Sequence, residues 1–207
     1  MNARDLKPLH RALSPYFPGF TGHKRLFLKV PMNGMIRAIH FDPSAYDTIS
    51  FYPSPIVLPL CVPRNHLSLM FGGDRLRHKT EGRFWTAELP NLLPDLVEAI
   101  REQGMPILAQ SDDVEGFIAL GRTSRGNPHT ERFIAFFLAR IGEGDRAIDL
   151  INNYLPKLDI ATPWKKEIHD TSAHLRALLI NDPEAAQRQL GEWEDYTIQK
   201  MRLDAFR

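Results

Sequence analysis

Trp85-Thr86-Ala87-Glu88-Leu89-Pro90-Asn91-Leu92-Leu93-Pro94-Asp95-Leu96-Val97-Glu98-Ala99-Ile100 is the stretch on which the reading of the fold turns. Before Leu89 apolar residues alternate with polar ones, the pattern of a strand with one covered face; after it Leu92, Leu96, Ala99 and Ile100 recur at the spacing of one helix face. The two sides also differ in chemistry. Nine of the 16 prolines precede Arg64, and residues 1–89 hold twelve Lys and Arg against six Asp and Glu, a net of +6. Residues 90–207 hold 14 against 19, a net of −5, so the overall +1 conceals a split. Glu88-Leu89-Pro90 has no linker composition, and the change reads as a seam inside one α+β unit. Residues 1–126 are expected to form a sheet portion with two helices, packed as one unit with a four-helix portion over residues 127–207.

Working back from Trp85, residues 83–88 read as a last strand, Gly72-Gly73-Asp74 as a turn and His66–Phe71 as an alternating strand. Between Ser50 and Val62 the prolines at 53, 55 and 59 each lack the N–H that a central strand donates, which predicts an edge strand or an extended crossing. Residues 25–30 and 35–41 have strand composition and are joined by Pro31-Met32-Asn33-Gly34. Asn-Gly supplies the positive φ angles of a tight hairpin. Leu6, Leu9 and Leu13 then mark a short N-terminal helix. Short turns favour antiparallel neighbours, so the sheet should be small and mostly antiparallel.

Working forward, a first helix is expected to stop at Gly104 and Pro106, and Val114, Phe117, Ile118 and Leu120 mark a shorter one. Asn127-Pro128, Thr162-Pro163 and Asp182-Pro183 each place a capping residue before proline at the first helical position. With Gly144-Asp145 they predict helices over 129–141, 145–157, 163–180 and 183–203, the last turning Ala186, Leu190, Trp193, Thr197 and Met201 inward.

Composition bounds the function. A chain of 207 residues with 43% hydrophobic and 25% charged residues builds a core and is not of the disordered class. Ile56–Val62, the longest apolar run, is too short to span a bilayer, and Met1–Leu6 lacks a signal-peptide core, so a cytoplasmic protein without a membrane partner is expected. The single cysteine, Cys61, leaves no intrachain disulfide and no cysteine-rich zinc site. The eight histidines are scattered; His169 and His174 stand five apart where two zinc ligands on one helix face want four. No His-Glu-x-x-His motif or nucleophile elbow is present, and neither a metal nor a cofactor is expected. Gly72-Gly73-Asp74 matches the start of the diguanylate cyclase signature, but Arg75-Leu76 follow where that signature has an acidic residue and phenylalanine. Ser111-Asp112-Asp113-Val114-Glu115 lacks the ligand spacing of a calcium loop and reads as helix capping.

Two groups of residues remain as candidates. Gly121-Arg122-Thr123-Ser124-Arg125-Gly126-Asn127-Pro128-His129 combines glycines, cations, hydroxyls and a helix N-terminus, and makes Arg122, Ser124, Arg125 and His129 candidate anion-binding residues. The lysine and hydroxyl of a P-loop are missing after its second glycine. In the front half Lys24, Arg25, Lys29, Arg37, Arg75, Arg77 and Lys79 interleave with aromatics and form a candidate basic patch for nucleic acid; a solvated sheet face is the plainer account.

Gly19-Phe20-Thr21-Gly22-His23-Lys24-Arg25-Leu26-Phe27, Trp85 with the helix after it, Gly104-Met105-Pro106-Ile107-Leu108 and Asp182–Ala186 through Leu190, Trp193-Glu194 and Thr197-Ile198 together resemble an uncharacterised group of bacterial proteins classed as domains of unknown function. The resemblance implies an α+β protein found beside secreted-toxin genes, serving as an immunity factor. It carries no functional residues with it. The leading expectation is therefore a non-catalytic protein-binding protein that neutralises a cognate toxin. Its rivals are a small ligand-binding or enzymatic domain with an anion site at Gly121–His129, and a nucleic-acid-binding module using the basic sheet face.

Overall fold

The computed structural model describes residues 6–69, 71–80, 82, 84–122 and 127–207, Arg122 by its backbone alone. The expected strand over residues 83–88 and the loop after Arg122 thus fall partly outside the described residues. The fold is α+β, as the change of period predicts. The chain divides into two compact units, the first made of Met1–Leu58, Phe71–Asp112 and Phe206–Arg207, the second of Pro59–Met70 and Asp113–Ala205. The division falls after Asp112, so the acidic residues of the first helices after the sheet belong with the sheet. Counted by unit, the first holds thirteen Lys and Arg against ten Asp and Glu and the second thirteen against fifteen. The +6 and −5 of the two halves shrink to +3 and −2.

The sheet unit begins with α1 (Leu6–Leu13) and carries β1 (Phe20–His23), β2 (Leu26–Lys29), β3 (Met35–Pro43), β4 (Ser50–Pro59) and β5 (Trp85–Thr86) in sheet order β1-β2-β3-β4-β5. The Asn-Gly hairpin forms where the sequence places it: Asn33 and Gly34 take φ of 49° and 77°, and Leu26, Phe27 and Leu28 face His40, Ile39 and Ala38 across an antiparallel pair. Phe27, Ile39 and Phe41 share one face of that pair, against which the His10 ring of α1 lies at 6.0 Å from Phe27 and 5.5 Å from Phe41.

β1 has no counterpart in the sequence-based expectations, because Phe-Thr-Gly-His lacks a strand's alternation. It pairs with β2, Thr21 facing Leu28, and its Gly22 lies against α1. A Cβ on Gly22 would sit 2.3 Å from His10 Nδ1 and 2.5 Å from His10 Cβ. Gly22→Ala should therefore destabilise the fold by about 2 kcal/mol through overpacking, and His10→Ala in the same chain should restore part of that loss. Thermal melts of the two single variants and the double variant check this; strict additivity would remove the contact as the cause.

β4 is neither the sheet's edge nor a crossing, and its prolines explain how it can lie inside. Pro53 O accepts from Leu76 N at 2.7 Å, Pro55 O accepts from Gly73 N at 3.1 Å, and Val57 N donates to Phe71 O at 3.1 Å. Both prolines thus fall on the side facing residues 71–76, where only their carbonyls are needed, and the alternating N–H groups remain for the β3 side. His66–Phe71 is not the strand that its alternation predicts: residues 67–69 have no regular structure, and the segment through residue 69 belongs to the helical unit. Gly72, at φ 148°, is held against Pro55 so closely that a Cβ would lie 2.2 Å from its carbonyl oxygen. That close approach, and no nucleotide chemistry, accounts for the Gly-Gly pair.

After β5 come α2 (Leu92–Ala99) and α3 (Met105–Gln110), joined without a break by one π-helical turn over Ile100–Gly104. Gly104 and Pro106 do not stop the helix. The π-turn lets Met105 N donate to Ile100 O, and Pro106 then sits in the first turn of α3, where its missing N–H is tolerated.

The helical unit holds α4 (Val114–Arg122), α5 (Pro128–Arg140), α6 (Gly144–Tyr154), α7 (Pro163–Asn181) and α8 (Pro183–Met201). Asn127 Oδ1 accepts from His129 N at 3.0 Å and Asp182 Oδ1 from Ala185 N at 2.9 Å, the expected caps; Thr162 makes no such side-chain bond. Phe133, Phe136, Ile151, Ile168, Leu175 and Leu190 fill its core, and Tyr154 Oη donates to Ser172 Oγ at 2.5 Å. Residues 59–69 run along these helices, tied by Thr197 Oγ1 donating to Val62 O at 3.2 Å. Cys61 is buried there, its thiol pushed up to about 12 by burial and then by the charge of Glu194. Ala186, Leu190 and Thr197 of the expected inward stripe are buried, whereas Trp193 is only half-buried because one side of it faces a cavity. Among the described residues no helix is long and apolar enough to cross a membrane.

Candidate anion-binding cavity

α5 presents His129, Arg132, Phe133 and Phe136 on one face, at intervals of three and four residues. An arginine on an otherwise aromatic, inward face is a conflict unless something pairs it. Arg132 is 5% exposed; its Nη1 donates to Glu167 Oε1 of α7 at 3.1 Å, while its Nε has no partner among the described residues. The irregular segment after Val62 brings in a second arginine. Arg64 Nε donates to Val62 O at 3.3 Å, and its guanidinium lies 4.3 Å from the centre of the Phe133 ring. Its two terminal nitrogens are closed off from solvent and hydrogen-bond to nothing among the described residues.

These groups line a cavity of about 550 Å³, within the range typical of small-molecule sites. Pro63, Arg64, Asn65, His66 and Ser68 come from the irregular segment and His129, Arg132 and Phe133 from α5. Glu167 and Thr171 come from α7, and Trp193 and Tyr196 from α8. One carboxylate therefore faces two guanidiniums. Burial and the neighbouring charge of Arg132 lower Arg64 to about 9, which leaves it a cation at neutral pH. The same positive surroundings act on His129: burial first, then Arg132, lower its pKa, Glu167 opposes this, and Arg64 and His66 add to the lowering. The His129 ring stacks on Trp164 at 5.0 Å and 11°.

A buried donor left without a partner costs about 1–3 kcal/mol, more when it is charged. The cheapest way to satisfy both terminal nitrogens of Arg64 at once is an anion with two oxygens on one centre, the geometry of a carboxylate or phosphate facing a guanidinium fork. Arg132 adds its charge to that attraction, while His129, kept neutral by its lowered pKa, can offer only a ring N–H.

Of the four residues singled out for an anion site, His129 lines this cavity, while Ser124 and Arg125 lie outside the described residues and the Arg122 side chain is not described. Arg64, Arg132, Glu167, Trp193 and Tyr196 were not expected. Arg132 could have been found as the one cation on an apolar helix face; Arg64 sits in a proline-rich run with no periodicity to expose its position.

The candidate basic patch is not a free field of charge. Lys29 and Arg37 converge on Asp112 at 3.6 and 3.4 Å, and Arg37 also donates to Ser111 Oγ at 2.8 Å and Ser111 O at 2.9 Å. Arg75 pairs with Asp42 at 3.5 Å and Lys79 with Glu98 at 2.5 Å. Lys24, Arg25 and Arg77 are exposed, Lys24 in a turn at φ 52°. Among the described residues no group of three or more His, Cys, Asp or Glu is placed to hold a metal ion. The chain matches no family model, no curated protein and no solved structure.

Proposed function

We propose that the chain is a binding protein whose helical unit takes up a small anionic ligand through a phosphate or carboxylate group. One observation carries this reading: the Arg64 guanidinium, whose two terminal nitrogens are buried without a partner among the described residues, lines one cavity together with Arg132 and a single carboxylate, Glu167. Titration with inorganic phosphate at low salt, followed by the amide shifts of residues 64–68 and 127–133, is the test. Arg64→Met should weaken binding at least about tenfold, since a charge-assisted pair is worth about 1.5–3 kcal/mol. In the absence of ligand the same variant should be as stable as the native chain or more so, because an unpaired buried charge has been removed. Unmoved amides, or unchanged affinity in Arg64→Met, would rule the site out.

A second reading, recognition of a protein partner, draws support from the sheet unit. Tyr46 is 94% exposed on a turn held by Asp47 Oδ1, which accepts from Ile49 N at 3.0 Å and Ser50 N at 2.5 Å. Phe84 lies exposed, edge-on to Tyr52 at 5.7 Å, and Arg75 covers the Tyr52 ring at 4.0 Å. Exposed Tyr, Phe and Arg are the residue types that dominate interface centres. On this reading the partner is a toxin and the chain its cytoplasmic immunity protein, as the sequence resemblance implies. Copurification with a toxin encoded beside it, rescue of cells from that toxin, and loss of both in Tyr46→Ala with Phe84→Ala are the expected results. A chain that neither copurifies nor rescues sinks the reading.

A further inference from the structure

The cavity is far larger than a single phosphate or carboxylate group needs, and its lining carries two kinds of chemistry. Arg64, Arg132 and His129 come from α5 and the irregular segment, whereas α8 contributes two aromatic rings, Trp193 and Tyr196, three residues apart and so on one face of that helix. Trp193 is braced from behind: its ring stacks on Phe136 at 5.3 Å and 13°, and His174 meets it edge-on at 6.3 Å. Tyr196 is 42% exposed, with Lys200 Nζ 5.4 Å from its ring centre. A bare anion would leave this aromatic wall wet. Buried cations and aromatic rings lining one cavity fit one kind of molecule, an acid group attached to a flat ring.

Resting on the anion-binding reading above, we propose that the cavity takes a phosphate monoester carried by a planar ring, with the phosphate on Arg64 and Arg132 and the ring against Trp193 and Tyr196. Phosphate fits better than carboxylate here because two guanidiniums face the ligand, and a phosphate monoester offers three terminal oxygens and close to two negative charges at neutral pH. The ring adds stacking that does not depend on its identity, which allows a phenyl ester or a nucleoside monophosphate to serve.

Calorimetric titration of the full chain with inorganic phosphate, phenyl phosphate, benzoate and adenosine 5′-monophosphate, at one salt concentration and pH 7.5, tests it. Phenyl phosphate and the nucleotide should bind at least about tenfold tighter than inorganic phosphate, the size of one aromatic stacking contact. Benzoate should bind more weakly than phenyl phosphate. Tyr196→Ala, a change at a partly exposed position, should cut the advantage of both esters over inorganic phosphate, with Trp193 supplying what remains of it. Arg64→Lys, which keeps the charge but loses the fork, should weaken all the phosphates. Equal affinity of inorganic phosphate and phenyl phosphate in the native chain, or benzoate binding as tightly as the ester, overturns this inference and leaves the anion site standing. Failure of every anion to bind overturns both.

Discussion

Trp85→Ala should lower the stability of the sheet unit by about 3–5 kcal/mol, the largest single-residue effect expected in the chain. The indole is wholly buried, and its Nε1–H donates to Leu76 O at 3.0 Å, so truncation removes a large apolar volume and strands a buried carbonyl together. The damage spreads because of where Trp85 sits. β5 is two residues long and holds to β4 through Ser50 facing Thr86 and Phe51 facing Trp85. The 71–80 segment is tied to the same indole through Leu76 and through the His78 ring, which stands edge-on to it at 4.9 Å and 90°, and His78 Nε2 in turn meets Asp95 Oδ2 of α2 at 3.2 Å. Trp85→Phe keeps most of the volume and loses the hydrogen bond, and should cost about 1–2 kcal/mol. Urea denaturation followed by far-ultraviolet circular dichroism reads both; a loss below about 1 kcal/mol for Trp85→Ala would mean that the segment is held some other way.

Trp85 and Trp193 mark the limit of what the sequence can say. Both lie on an amphipathic pattern, and pattern alone turns Trp193 inward just as it covers Trp85. Periodicity identifies the side of a helix that faces inward, but whether that side meets side chains or a cavity depends on residues far along the chain, here 63–68. The helices of the second unit were legible because their caps and prolines are local signals, and the β2–β3 hairpin because Asn33-Gly34 encodes its own turn. The division into units was not. The strand-like alternation of His66–Phe71 is a local pattern that long-range contacts override, and the acidic residues that balance the sheet's cations lie on α2 and just after α3, beyond the apparent seam. The cavity was half legible, through His129, because its cap is local; Arg64 depends on a crossing that no period announces.

Acid should loosen the sheet unit well above the pH at which its carboxylates titrate. His10 is 5% exposed between Phe27 and Phe41, its Nε2 has no hydrogen-bond partner among the described residues, and burial lowers its pKa from 6.5 to about 4. His40 shifts in the same direction, by burial foremost, with Asp42 opposing and Arg25 adding. The fold therefore excludes protons that the unfolded chain accepts. The stabilisation is complete above the unfolded pKa near 6.5 and drains away as pH falls towards 4, by about 2–3 kcal/mol for His10 once partial solvent screening is allowed for. Asp47, lowered chiefly by the Ser50 N–H, and Asp170, lowered by Lys166 and then His169, withdraw their contributions only below the ordinary aspartate range. The window between pH 4 and 6.5 thus belongs to histidines. Urea midpoints should fall steadily from pH 7 to 4.5 in the native chain and clearly less in His10→Leu, whose side chain fills the site without a proton to take up. A native chain equally stable at both pH values, or a His10→Leu variant that loses as much as the native chain, would show that His10 is protonated in the fold without penalty and that the aromatic pocket around it admits charge.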